Sequence, residues 1–422
     1  MTQGKTAMLA LATLLAIGCW RGQGLGNDAP SDDDASTDAD TDADSDADSD
    51  VDSDTDTCNA GTYTGSLKAY SDEEIAALAG YTEIDGYLWI GNHYWPEEGM
   101  TEVTSLAPLA CLQRVGGDMR LMTISTLSLD GLHNLTEVDG DLELASVGDG
   151  WPWAPEIYGP SGLERLESLE RVGGNLEITE NTFDSLDGLQ NLETIEGGIF
   201  VTGQSALKSL EGLSGLTSLG MSEPEYYDPM LSSEGVSIRL SDSSLESLHG
   251  LEGIVSIPGD LIVSPNTEEL HDLTGLDNLI SIEGNLCIKW GDLSRLQGLE
   301  ALESVGGVLF IESNDYLLDL DGLSSLASVE KDLYIGLNTQ LESLAGLADL
   351  TAVGGDLRIA SNEQLLDLDG LFNLTSLGGD ISIEHNDSLP QCYVDQLVEK
   401  LTDLGWSGAV HSEGNDADGQ CE

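Results

Sequence analysis

The apolar positions of this chain recur with a period of about 24 residues. Leu320-Asp321-Gly322-Leu323, Leu326, Val329 and Leu333-Tyr334-Ile335 are followed by Leu344-Ala345-Gly346-Leu347, Leu350, Val353 and Leu357-Arg358-Ile359. The next copy runs Leu368-Asp369-Gly370-Leu371, Leu374, Leu377 and Ile381-Ser382-Ile383. A fixed period of this size is the signature of a solenoid. Within each copy the spacing of three predicts a tight helical or 3-10 turn with one buried edge. The alternation that follows predicts a short strand with two inward residues flanking one outward residue. Glycine pairs such as Gly116-Gly117, Gly306-Gly307 and Gly354-Gly355 mark a corner with no room for side chains or with a need for positive φ. About twelve coils are expected, from a degenerate first one around Leu78 to the one at Leu371. One coil cannot bury enough apolar surface to order itself, so the coils must stack on a shared core and a long parallel sheet, with capped ends.

Both ends carry cap signals. Ser71 to Ala79 reads as a helix with Ser71 as N-cap and Glu74 closing a capping box. Leu389 to Leu404 carries Val394, Leu397, Val398 and Leu401 at helical spacing. Cys58 and Cys111 bracket the first cap, and Cys392 and Cys421 the second. Those two disulfides are expected, leaving Cys287 over, although five cysteines allow other pairings. Disulfides suit an oxidising compartment.

The consensus L-x-G-L-x-x-L-x-x-[VI]-x-G-[GD]-[LI]-x-[IL]-x-x-N resembles the receptor L-domain type of leucine-rich repeat, closest in style to exported bacterial, notably myxobacterial, proteins. The closing stretch Asn386-Asp387-Ser388-Leu389-Pro390-Gln391-Cys392, with Gly405-Trp406-Ser407-Gly408 and Gly414-Asn415-Asp416, is similar to the end of such domains. The resemblance covers roughly residues 58 to 422 and implies a right-handed solenoid with one long parallel sheet. It implies ligand recognition only loosely, because such folds host many partners. Two L domains meeting near Gly220 to Glu234, or one continuous stack, would both fit; the register resumes after that insertion, which favours one stack.

The first residues read as a targeting segment. Lys5 precedes an apolar run from Ala7 to Ile17, of signal-peptide length. The run ends in Leu15-Ala16-Ile17-Gly18-Cys19, which resembles a bacterial lipobox, with Ala16 where that family usually has leucine. The resemblance implies lipidation of Cys19 and cleavage before it; an ordinary signal peptide with an incidental cysteine is the alternative. From Asp28 to Asp56 aspartate stands at nearly every second position, a composition that stays disordered and extended. Asp38, Asp40, Asp42 and Asp44 show alternating spacing, but the glycine and terminal glutamate of an EF-hand loop are missing. The expected organisation is a signal peptide over 1–18, a lipidated, acidic tether over 19–57, an N-terminal cap and first coil over 58–105, repeats over 106–388 and a helical cap over 389–422.

Charge narrows the partners. The net charge is −64; without the tether's fourteen aspartates, Lys5 and Arg21, 64 acids still face 12 bases. Such a surface repels nucleic acid and anionic headgroups. No metal or cofactor is expected: there is no C-x-x-C pair, no phosphate loop, no H-E-x-x-H and no G-x-S-x-G, and the six histidines are scattered. The expected partner is a protein or glycan, with the membrane met only through the lipid.

Three places could bind. Asn181, Asn266, Asn314, Asn338, Asn362 and Asn386 recur three residues after the second strand apolar, as a polar row or, preferably, as a ladder of turn asparagines bonding neighbouring backbone. The outward strand residues run Trp89, Arg120, Glu143, Glu177, Phe200, one position near Ser237, Ile262, Cys287, Phe310, Tyr334, Arg358 and Ser382. Ile262 to Tyr334 would form an apolar stripe, either an interface or a face that a loop covers. Three insertions, Asn92 to Met100, Val147 to Gly162 and Gly220 to Glu234, concentrate Tyr94, Trp95, Trp151, Trp153, Tyr158, Tyr226 and Tyr227. These are interface-anchor residue types, or else local plugs over the sheet edge. The expected function is non-catalytic cell-surface recognition or adhesion, with a structural envelope role as the alternative.

Overall fold

The computed structural model describes residues 58–91, 103–122, 124, 129–147, 163–181, 183–222, 235–265 and 269–421, all within one compact unit. They form a parallel β-solenoid. Its main sheet has 14 strands in chain order, from Leu67–Ala69 to Val410–His411. The outer two strands come from the caps and the twelve between them from the coils, so the expected count of turns holds.

One coil shows how the sequence builds the stack. Leu320 leads into the 3-10 turn Asp321–Leu323, which is followed by Leu326 and the two-residue strand Ser328–Val329. The chain turns a corner into the main strand Leu333–Gly336. Leu320, Leu323, Leu326, Val329, Leu333 and Ile335 are all buried, and each fully buried leucine or isoleucine contributes about 1.5–3 kcal/mol. The chain then leaves the sheet through Leu337, at φ +56°. Ser146, Glu180, Asp242, Trp290, Ser313, Ser361 and His385 hold the same left-handed exit.

Glycine sits where coils touch. A Cβ on Gly346 would overlap the Leu320 carbonyl oxygen of the preceding coil. A Cβ on Gly355 would overlap Oδ1 of Asp332, which accepts a hydrogen bond from the Asp356 amide at 2.8 Å. The second glycine of the corner thus makes space for an aspartate one coil back. This ladder continues: Asp380 N–H donates to Asp356 and Ala409 N–H to Asp380, each at 2.8 Å. An earlier stretch runs through Asp118, Asp141 and Asn175 to Gly198.

The short strands form two further sheets, of seven and six strands. They separate between Ser218–Leu219 and Ser256–Ile257, the coil that carries the Gly220 to Glu234 insertion. The main sheet continues across that point, Ile199–Thr202 pairing with Val236–Ser241 and that strand with Asp260–Ser264. The stack is therefore one solenoid. On the seven-stranded sheet Glu83, Arg114, Glu137 and Arg171 are successive register partners. Arg114 pairs with Glu83, Glu137 and Asp139, and Arg171 with Glu137, Asp139 and Glu196.

The caps close the ends. The first helix is shorter than expected, Asp72–Ala76; Glu74 N–H donates to Ser71 Oγ at 3.3 Å and Tyr70 N–H to Glu74 Oε2 at 2.6 Å. Asp72 accepts from Thr104 Oγ1 and N–H, and these bonds hold its carboxyl below the usual range. The last helix, Gln391–Asp403, buries Val394, Leu397 and Leu401 on the final coil. Lys400 Nζ donates to the Leu374 carbonyl at 2.9 Å and Trp406 Nε1 to the Gly379 carbonyl at 2.8 Å. Disulfides Cys58–Cys111 and Cys392–Cys421 pin the two caps, as expected.

Candidate functional site

The main sheet presents one outward residue per strand at its centre. The observed row begins with Lys68 and continues through Trp89, Arg120, Glu143, Glu177, Phe200, Arg239, Ile262, Cys287, Phe310, Tyr334, Arg358, Ser382 and His411. The position expected near Ser237 is Arg239. A register shift between Val236 and Ile238, just after the insertion, adds one residue, Ser237, to the strand and so reverses the alternation across it.

The apolar stripe is contiguous, as expected, but it is not an exposed surface along its length. Ile262 is 4% exposed and Cys287 0%, packed with Val236 and Phe310. Only Phe310 and Tyr334 keep part of their surface, and their rings stack at 4.7 Å. Cys287 joins neither disulfide, and its burial removes the accessible thiol that an exposed stripe would have offered.

Beside the stripe lies a feature that the sequence reading did not single out. Lys289 and Glu312 are cross-strand partners, two residues beyond Cys287 and Phe310, and each is only 4% exposed. Tyr334 donates its hydroxyl proton to Glu312 Oε1 at 3.1 Å. The Tyr334 ring reaches over Gly336, where a Cβ would collide with it. Lys289 Nζ lies 4.5 Å from the Trp290 ring centre. Burial pulls the Lys289 ammonium down to about 8, opposed by the Glu312 charge. Burial raises the Glu312 carboxyl, opposed by the Tyr334 hydroxyl and by Lys289. Burial, with Glu312 beside it, also pushes the Tyr334 phenol up. Both members of the pair are thus shifted toward their neutral forms.

Two rules of the repeat break together here. Charged residues are buried on the face, and Gly291 replaces the asparagine of the exit turn. Such coincident departures mark functional or strained places. The alternation of the sequence places Lys289 and Glu312 outward; their burial had no sequence signal.

The other end of the row is cationic and aromatic. Lys68 Nζ lies 3.7 Å above the Trp89 ring and the Arg120 guanidinium 4.8 Å from it. Arg120 also pairs with Glu143 at 3.3 Å. A shallow groove of about 350 Å³ lies between the turns of neighbouring coils, lined by Ala107, Ala110, Asp130, Gly131, His133, Arg165 and Glu167.

The asparagines form a backbone ladder. Asn314, Asn338, Asn362 and Asn386 are fully buried, and each of their N–H groups donates to Oδ1 of the next, ending on Asn415 of the cap. Asn181 bonds the Val147 amide and the Leu144 carbonyl, and Gln204 bonds the Ile178 carbonyl in the same place. Asn266 lies outside the described residues. So do Tyr94, Trp95, Trp151, Trp153, Tyr158, Tyr226 and Tyr227, together with Cys19 and the tether. Among the described residues, no group of three or more His, Cys, Asp or Glu side chains is arranged to hold a metal, and no helix is long and apolar enough to cross a membrane. No family model matches this chain, and no curated protein matches it either.

Proposed function

We propose that this protein is an exported solenoid, lipid-anchored through Cys19 to the bacterial outer membrane, that recognises a protein or glycan at the cell surface without catalysis. We read its coils as the receptor L-domain type of leucine-rich repeat. The observation that carries the proposal is the 14-stranded sheet, which sets a continuous row of side chains at about 4.8 Å intervals. Phe310, Tyr334 and Arg358 are adjacent, partly exposed members of that row and form the first contact set, and the aromatic insertions are the second.

Two experiments test this. Protease applied to intact cells should release the solenoid from native protein, while Cys19→Ala should leave the membrane fraction. Replacing Trp151, Trp153, Tyr226 and Tyr227 by serine should abolish partner capture with the fold retained; capture undiminished in the folded variant sinks the recognition reading.

The burial of Ile262 and Cys287 supports a second reading, a structural envelope component held on its tether. Protection of the solenoid until the outer membrane is broken, with no loss of binding on mutating the aromatics, would favour it.

A further inference from the structure

The exit ladder has an internal standard, because its rung always stands five residues after the first inward residue of the main strand. Leu309, Leu333, Leu357 and Ile381 lead to Asn314, Asn338, Asn362 and Asn386. The same count from Leu286 gives Gly291.

An intact rung has a fixed set of bonds. Asn338 Oδ1 accepts from the Asn314 N–H at 3.0 Å, and Asn338 Nδ2 donates to the Ile311 carbonyl at 3.1 Å and to Asn362 Oδ1 at 3.3 Å. Asn314 repeats the donor half, with Nδ2 on the Ile288 carbonyl and on Asn338 Oδ1. Its own Oδ1, in a side chain that is 0% exposed, has no hydrogen-bond partner among the described residues. In an intact rung that oxygen accepts from the preceding rung's backbone N–H and from its Nδ2; Gly291 has no Nδ2, and its backbone N–H makes no hydrogen bond to Asn314 Oδ1. The side-chain position of the rung faces that oxygen: a Cβ on Gly291 would stand 3.5 Å from Asn314 Oδ1 and, more tightly, 3.3 Å from Pro265 Cγ, and Gly291 is itself buried.

We infer that the Gly291 rung is a specific internal water site. The water takes the place of the missing amide, donating one proton to Asn314 Oδ1 and the other to the carbonyl of Val263. Val263 is the register partner of Ile288, and so the acceptor that an amide at 291 would meet. An orphaned buried acceptor costs about 1–3 kcal/mol, and buried water is retained where it bonds otherwise unsatisfied buried polar groups. Water is favoured over a cation because the buried Lys289 ammonium stands two residues away along the chain and because the rung amide both donates and accepts.

A high-resolution crystal structure of the protein should show one density peak at hydrogen-bonding distance from Asn314 Oδ1 and the Val263 carbonyl. In Gly291→Asn the peak should be gone, replaced by the amide. Absence of the peak in the native protein, or a peak with the coordination shell of a cation, overturns the inference. Solution denaturation decides the same point. Gly291 is not at positive φ, and apart from one tight contact with Pro265 Cγ its Cβ meets ordinary neighbours, so Gly291→Ala alone would change stability little. Displacing the water should instead raise the unfolding equilibrium constant about fivefold, with Gly291→Asn returning it to the native value or below. An alanine variant as stable as the native protein refutes the site.

Discussion

Removing a single rung of the exit ladder is the sharpest test of how these coils hold together. In Asn338→Ala the Asn314 N–H loses its acceptor at 3.0 Å, and the Ile311 carbonyl and Asn362 Oδ1 lose a donor at 3.1 and 3.3 Å. All three asparagines are 0% exposed, so water does not replace the lost partners without rearrangement. One orphaned buried donor costs about 1–3 kcal/mol and each lost bond about 1 kcal/mol, which gives a destabilisation of about 3 kcal/mol. Urea titration followed by circular dichroism should show it, and hydrogen exchange should report early opening at the Asn314 amide. Exposed Gln340→Ala, two residues on, is the control and should change stability by less than about 0.5 kcal/mol. Asn338→Asp keeps the acceptor but turns the donor into an oxygen that faces two others. It should be worse than alanine at neutral pH and partly recover in acid, where the carboxyl regains a proton to donate. A cost for Asn338→Ala near that of Gln340→Ala would refute the ladder as a source of stability.

Four further outcomes follow. Ser361→Gly should stabilise the protein by about 0.5–1 kcal/mol in thermal denaturation, because Ser361 holds φ +59° and glycine carries no Cβ penalty there. Gly346→Ala should cost at least about 1–3 kcal/mol by the same assay, because its Cβ would force coils apart at the Leu320 carbonyl. Reducing Cys392–Cys421, which closes a span of 29 residues, should cost about 3–4 kcal/mol and appear first as proteolysis of the last helix. The Lys289 ammonium is depressed to about 8 from 10.5, so between those values the unfolded chain binds more protons than the folded one. Stability of the native protein relative to Lys289→Met should therefore rise as pH climbs from about 8 to 10.5; a flat difference would show that Lys289 is not held as described.

Much of this fold was legible because it repeats. A period of 24 residues, interrupted by Gly-Gly corners, leaves little freedom in strand register, and the asparagine ladder followed from the same arithmetic. Cys392 and Cys421 bracket a segment whose Val394, Leu397 and Leu401 keep helical spacing, so that cap was readable too. The outward residue expected only as a position near Ser237 is Arg239; which residue it is depends on the one-residue bulge after the insertion, and periodicity does not encode that. Gln204 and Gly291 occupy rungs of the ladder but are not asparagine, so a search for a repeated residue type passed over them. The aspartate ladder was hidden for another reason. On so acidic a chain an aspartate in a repeated place carries little signal until the glycine behind it is seen to accommodate its carboxylate. Burial of Lys289 and Glu312 is a property of what surrounds the face, and no local pattern reports it.

The two disulfides also determine where a pull on this molecule is felt. Tension entering at Cys58 crosses the sulfur bridge directly to Cys111, and tension entering at Cys421 crosses to Cys392. The cap segments are short-circuited mechanically, and the coils between Cys111 and Cys392 bear the force. Because every strand is parallel and the coils are stacked one on the next, their ladders are stretched in series along the stack. A series arrangement yields one coil at a time, and a released coil of about 24 residues extends to roughly 80 Å. The solenoid would then lengthen under shear in graded steps while both ends stayed folded, as a shock absorber does, and its caps would remain to re-seed the stack once the force was removed.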